Sequence, residues 1–111
     1  MHVTEGSRGP WHVVAIAGRA DNSTADSLKS ALRQAIEAHA QVAVDCSGID
    51  YISSAGVGAL VEGAVAARRA GRRFTLCAPS PRVQQVLKIS RLDTVLAIES
   101  TLPSFQDSQD D

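Results

Sequence analysis

Residues 45–60 read Asp45-Cys-Ser-Gly-Ile-Asp-Tyr-Ile-Ser-Ser-Ala-Gly-Val-Gly-Ala-Leu60. The apolar run Gln41–Asp45 in front of them suits a buried strand, and Ser47-Gly48 reads as its break into a loop. From Ser54 the pattern changes period. Val57, Leu60, Val61, Ala64 and Val65 recur at helical spacing and are read as an inner face, Arg68 and Arg69 fall in the last turn, and Gly71 marks the stop. A strand followed by a loop and a helix is half of a parallel crossover unit, so the stretch points to an α/β fold.

The flanks extend the same alternation. Upstream, Ala25, Leu28, Leu32, Ala35, Ile36 and His39 mark a helix, and Asp21-Asn-Ser-Thr24 offers several N-caps, with Ser23-x-x-Asp26 resembling a capping box. Trp11–Ala17 is β-branched and apolar enough for a strand, and His2–Thr4 with a turn at Gly6–Gly9 completes an N-terminal hairpin. Downstream, Arg73–Ala78 reads as a strand. Ser80-Pro81 places an N-cap before a proline at the first helical position, and a third helix to about Ser90 buries Val83, Val86 and Leu87. Thr94–Glu99 reads as a last strand, followed by a short acidic tail over 101–111. The order ββαβαβαβ predicts a mixed, largely parallel sheet of four or five strands with helices on one face, forming a single domain over 1–100. Val13, Ala15, Val42, Val44, Leu76 and Ile98 are the expected core positions.

Composition narrows the function classes. A chain of 111 residues has the size of one domain, and with 44% hydrophobic and 21% charged residues it is too apolar for intrinsic disorder. A net charge of −1 lacks the basic excess of a nucleic-acid binder. The cluster Arg68, Arg69, Arg72 and Arg73 reads either as cations at a helix C-terminus or as a phosphate-binding patch. Cys46 and Cys77 stand apart at the ends of apolar runs, as two buried free thiols would, so neither a metal nor a cofactor is expected. No apolar run approaches the ~18 residues of a membrane span, and the N-terminus lacks a signal-peptide pattern, which places the expected protein in the cytoplasm away from membranes.

The chemistry that remains centres on the serine pair. Ser53 or Ser54 would sit at a helix N-terminus, where free N–H groups and the dipole favour a phosphate, although either serine could serve simply as the N-cap. A dinucleotide fingerprint fails because Val61 stands where the third glycine is needed, and no P-loop lysine is present. A hydrolase elbow fails at Ile52. With His2, His12 and His39 scattered along the chain, no catalytic triad is expected, and the protein is read as a non-enzyme. Ala55, Gly58, Ala59, Glu62, Gly63 and Ala66 lie opposite the inner stripe assigned above and are nearly all small. Such a face reflects either relaxed sequence constraint or the close approach of a partner.

These residues resemble the STAS domain family, and within it the bacterial anti-sigma factor antagonists. The segment DCSGIDYISSAGVGAL is similar to the family signature, Gly18-Arg-Ala-Asp21 to its early loop, and Cys77-Ala-Pro-Ser-Pro-Arg-Val and Leu92-Asp-Thr-Val-Leu to its later turns. The resemblance implies an unphosphorylated protein that binds an anti-sigma factor serine kinase and so frees a sigma factor. Phosphate on the motif serine ends that complex, and a serine phosphatase restores it. By position the phosphorylated residue is Ser54, with Ser53 as second choice. Together with the small-residue face of the helix, this gives an expected partner surface of Asp21, Ser53, Ser54, Ala55, Gly56, Gly58, Ala59, Glu62 and Gly63, with Asp45 a further acidic neighbour implied by the resemblance. Three departures stand out. Ser53 replaces a commonly acidic residue, Ala55 replaces a hydroxyl residue, and the final helix is nearly missing, which leaves one sheet edge less covered. Other members of the family are non-switching scaffold subunits of transporter or signalling complexes, and the resemblance allows that role as the alternative.

Overall fold

A computed structural model of the chain describes residues 1–92 and 96–102. Its elements are β1 (His2–Arg8), β2 (Trp11–Ala20), α1 (Ala25–Ala38), β3 (Gln41–Ile52), α2 (Ser54–Arg69), β4 (Arg73–Cys77), α3 (Pro81–Ile89) and β5 (Ile98–Glu99). The strands lie in the order β1-β2-β3-β4-β5. β1 and β2 form an antiparallel hairpin, and every later pair is parallel, joined through one helix each. This is the expected α/β architecture. The hairpin turn falls later than the sequence suggested: Arg8 pairs with Trp11, leaving Gly9-Pro10 as the loop. Of the expected last strand only Ile98–Glu99 is formed among the described residues, and positions 94 and 95 lie outside them.

All three helices cover one face of the sheet. Val14, Ile16, Val42, Val44, Cys46 and Leu76 form a single buried cluster with Leu28, Leu32 and Ile36 of α1, Val57, Ala59 and Leu60 of α2, and Val83 and Leu87 of α3, against which Ile98 packs partly buried. Val42, Val44 and Leu76 are thus core residues as expected. Val13 and Ala15 are not part of this core. Because side chains alternate along a strand, a one-residue offset sends them to the opposite face. There Val13 joins a small second cluster with Ala43 and Cys77, flanked by Trp11 and Leu102, and Ala15 is half-buried. Both thiols are free and buried, and burial pushes Cys46 up to about 12 and Cys77 up to about 11.

Two further expectations are corrected. Ser47-Gly48 does not end β3, which stays paired to β2 up to Ile52 opposite Ala20, with register irregularities between Ala15 and Ala17 and between Gly18 and Arg19. The polar residues sit in a bulged strand rather than in a loop, because β2 is long enough to continue the ladder past them.

The second correction concerns α2, whose buried residues are Gly56, Val57, Ala59, Leu60, Gly63 and Ala67, while Val65 is 43% exposed. Ala59, Gly63 and Ala67 follow i, i+4, i+8, a ridge along one side of the helix. A Cβ on Gly63 would stand 3.2 Å from Leu32 Cδ1 of α1 and 3.1 Å from Phe74 Cζ of β4. The small residues therefore line a seam inside the domain, where a bulky ridge would force α1 and β4 away.

Candidate functional site

The serine pair and the loop between β2 and α1 meet at the carbonyl of Ala20. The Ser53 N–H donates to the Ala20 oxygen at 2.9 Å, and the Gly56 backbone packs directly against the same carbonyl. Ser53 is extended, with φ −98° and ψ 176°, and its hydroxyl accepts the Gly56 N–H at 3.3 Å. It is the N-cap of α2. Ser54 is the first helical residue and is exposed, its hydroxyl taking no part in the cap. Of the two serines, Ser53 is therefore the one that caps the helix.

Across from Ser53, residues 21–24 form a compact turn rather than the expected capping box. α1 begins at Ala25 behind Thr24, whose side chain caps nothing in the helix. The Thr24 hydroxyl donates instead to the Arg19 carbonyl at 3.0 Å and accepts the Asp21 N–H at 2.9 Å. Asp21 Oδ1 accepts from the Ser23 N–H at 3.0 Å and from the Ser23 hydroxyl at 2.7 Å, while its Oδ2 accepts from Arg19 Nε at 3.3 Å. The Ser23 hydroxyl does most to hold the Asp21 carboxyl below its ordinary value; desolvation opposes it, and the Ser23 N–H and Arg19 reinforce it. The Arg19 guanidinium also lies over the Tyr51 ring, 4.2 Å from its centre.

Of the residues assigned to partner binding, Asp21, Ser53, Ser54 and Ala55 come together here. Gly58 continues the surface along α2, with open space where a Cβ would stand, and Glu62 follows it, paired with Lys29 of α1 at 3.3 Å. Ala59 and Gly63 are buried in the seam with α1 and β4, and Gly56 is buried against Ala20, so these three cannot touch a partner in the folded domain. Asp45 is not a neighbour of the serines either. It pairs with Ala15, five residues before Ala20, about 16 Å away at ~3.3 Å per strand residue, and it accepts the Ser47 N–H at 3.0 Å.

Sequence reasoning missed Arg19, Tyr51 and Val65. Arg19 and Tyr51 are cross-strand partners, a relation that depends on the bulged register; Val65 follows from the true rotation of α2. His12 and His39 lie away from Ser54. His12 stacks on His39 with ring centres 3.7 Å apart and bonds Glu5 at 2.6 Å, near the start of β2, the end of the strand remote from Ala20. A groove of about 600 Å³ lies between α3 and β5, lined by Pro79, Pro81, Leu87, Lys88 and Ile98 and separate from the serines. Among the described residues there is no group of three or more His, Cys, Asp or Glu able to hold a metal, and no helix is long and apolar enough to cross a membrane.

A five-stranded mixed sheet with three helices on one face, and a capped serine pair opening the second helix beside the turn that leads into the first, defines a STAS-type domain. The family model described as "Mlab, STAS domain" matches residues 4–99, and the chain belongs to that family. The fold is similar to that of an anti-sigma factor antagonist from Mycobacterium paratuberculosis, at 18% identity over 98% of this chain and 91% of that one, with a TM-score of 0.80. It is similar to a variant of RsbS from Moorella thermoacetica, at 24% identity over 99% and 96%, with a TM-score of 0.75. It is also similar to the Bacillus cell fate determinant SpoIIAA in its phosphorylated form, at 17% identity over 98% and 97%, with a TM-score of 0.69.

Proposed function

We propose that this chain is an anti-sigma factor antagonist that binds an anti-sigma factor serine kinase while Ser54 is unmodified and releases it when Ser54 carries phosphate. The observation that carries this reading is the division of labour at the start of α2: Ser53 caps the helix, and Ser54 stands exposed and uncommitted next to it. Phosphate on Ser53 would displace a half-buried capping hydroxyl, whereas phosphate on Ser54 adds about −1.5 to −2 charges to a surface position. The fold survives and the surface changes. Asp21, Ser54, Ala55, Gly58 and Glu62 form the contact, and a serine phosphatase resets it. Neither nucleic acid nor membrane is part of the cycle, no catalytic residue is assigned to the chain, and its setting is the bacterial cytoplasm.

Burying an unpaired dianion in such a contact costs at least ~3 kcal/mol, or about a hundredfold in affinity. Calorimetry against the cognate kinase should therefore find Ser54→Ala binding as tightly as the unmodified protein, and the phosphorylated protein at least about a hundredfold more weakly. Equal affinities for the two would leave a constitutive scaffold in place of a switch.

A further inference from the structure

We propose that residues 103–111 dock along the face of the sheet that the helices leave open, with Phe105 on the apolar cluster there and the aspartates that follow it at Arg73. From β2 to β5 the strands are parallel, and a parallel sheet is ordinarily covered on both faces. All three helices lie on one of them. The other face is apolar as well: Val13, Ala43 and Cys77 form its buried cluster, and Trp11 and Leu102 are the partly buried residues that pack against these three. Leu102 thus brings the chain onto this face immediately before residue 103.

Charge fixes the direction. At one end of this face Cys77 stands in register between Asp45 and Glu99, both acidic. At the other end, four residues back along β4, Arg73 lies over the Trp11 ring, 5.0 Å from its centre, and donates to Gln41 at 2.9 Å. Arg73 is exposed and has no carboxylate partner among the described residues, and Arg8, opposite Trp11 in the hairpin, adds a second cation at this end. From Cys77 to Arg73 is about 13 Å at ~3.3 Å per strand residue. The segment Pro103-Ser-Phe-Gln-Asp-Ser-Gln-Asp-Asp111 carries its aromatic residue ahead of its acidic ones. Asp107 is five residues past Leu102, a reach of up to about 17 Å in extended chain, so Phe105 can meet the apolar cluster while the aspartates arrive at Arg73. The reverse course would set them against Asp45 and Glu99.

Trp11 is the one tryptophan of the chain, so its fluorescence reports on this face. In the full chain, Phe105→Ser should move the emission to longer wavelength and raise quenching by acrylamide, a neutral probe, because the indole is uncovered. Salt at about 1 M screens exposed ion pairs and should raise quenching in the unmodified chain as well. With Asp107→Asn, Asp110→Asn and Asp111→Asn together, quenching should already be raised at low salt and respond little to more. Circular dichroism checks the fold of each variant, and if Phe105→Ser does not fold, the salt response of the Asn chain decides alone. Emission and quenching unchanged by the substitutions overturn the proposal. Shielding of Trp11 that grows with protein concentration and ignores the substitutions overturns it too, by placing a second copy on the face. Neither Ser54 nor a kinase enters these measurements, so their outcome is independent of the function proposed above.

Discussion

Gly56 and Gly58 lie two residues apart on α2, and replacing each by alanine should shift stability in opposite directions. Alanine in a helix interior is favoured over glycine by about 0.5–1 kcal/mol, and that gain applies to both. At Gly58 nothing lies within 4 Å of the new Cβ, so the gain is unopposed and the melting temperature should rise by a few degrees. At Gly56 the new Cβ falls on the Ala20 carbonyl oxygen, 3.0 Å from its carbon, and 2.9 Å from Ile52 Cγ1. Backbone cannot rotate aside. Either α2 or the end of β2 must move, and both movements stretch the 2.9 Å bond from the Ser53 N–H. Overpacking costs about 1–3 kcal/mol and the strained hydrogen bond about 1 more, so after the helical gain a net loss of about 2 kcal/mol remains. For a domain of this size that is a fall of roughly 10 °C. Urea unfolding followed by circular dichroism measures both variants, with unchanged m-values showing that the stability and not the unfolded state has moved. Shifts of the same sign would refute the close approach of α2 to β2 on which the site depends.

Gly63→Arg should abolish the cooperative thermal transition seen by circular dichroism, because a guanidinium cannot enter the seam where Leu32 and Phe74 already stand 3.1–3.3 Å from the Cβ position; a folded Gly63→Arg domain would return this residue to the surface. Stability should also fall on the acid side through Asp21. Its folded carboxyl ionises below the unfolded value of about 3.9, so the stabilisation is complete above that pH and is lost as pH falls through the lower, folded value. Melting temperatures taken between about pH 5 and pH 3 should therefore decline less steeply in Asp21→Asn than in the unmodified chain.

The alternation of periods along the chain carried the architecture, since strand and helix segments of ordinary length leave few topologies open. What the sequence could not convey was phase. In β2, Val13, Val14, Ala15 and Ile16 are all apolar, so composition alone does not say which alternate set faces the helices; pairing with β3 decides for Val14 and Ile16. In α2 the stripe of large hydrophobic residues and the buried set overlap only in part, at Val57 and Leu60. Val65 belongs to the stripe a propensity argument selects and is exposed, whereas Ala59, Gly63 and Ala67 are packed inside, because close helix approach selects for smallness before hydrophobicity. Ser47-Gly48 carries the chemistry of a turn, but a long partner strand absorbs it as a bulge.

The same distinction separates what was legible of the site from what was not. The serine pair is visible because capping is a local rule: an extended Ser53 accepting from Gly56 needs only four consecutive residues. The groups around it depend on long-range pairing. Arg19 and Tyr51 meet only because two irregularities shift the ladder before Ala20 reaches Ile52. Those shifts let one carbonyl, that of Ala20, receive the Ser53 N–H and seat Gly56. The chain folds into the Asp21 turn directly after it. One backbone group thus fixes the start of α2 against the turn ahead of α1.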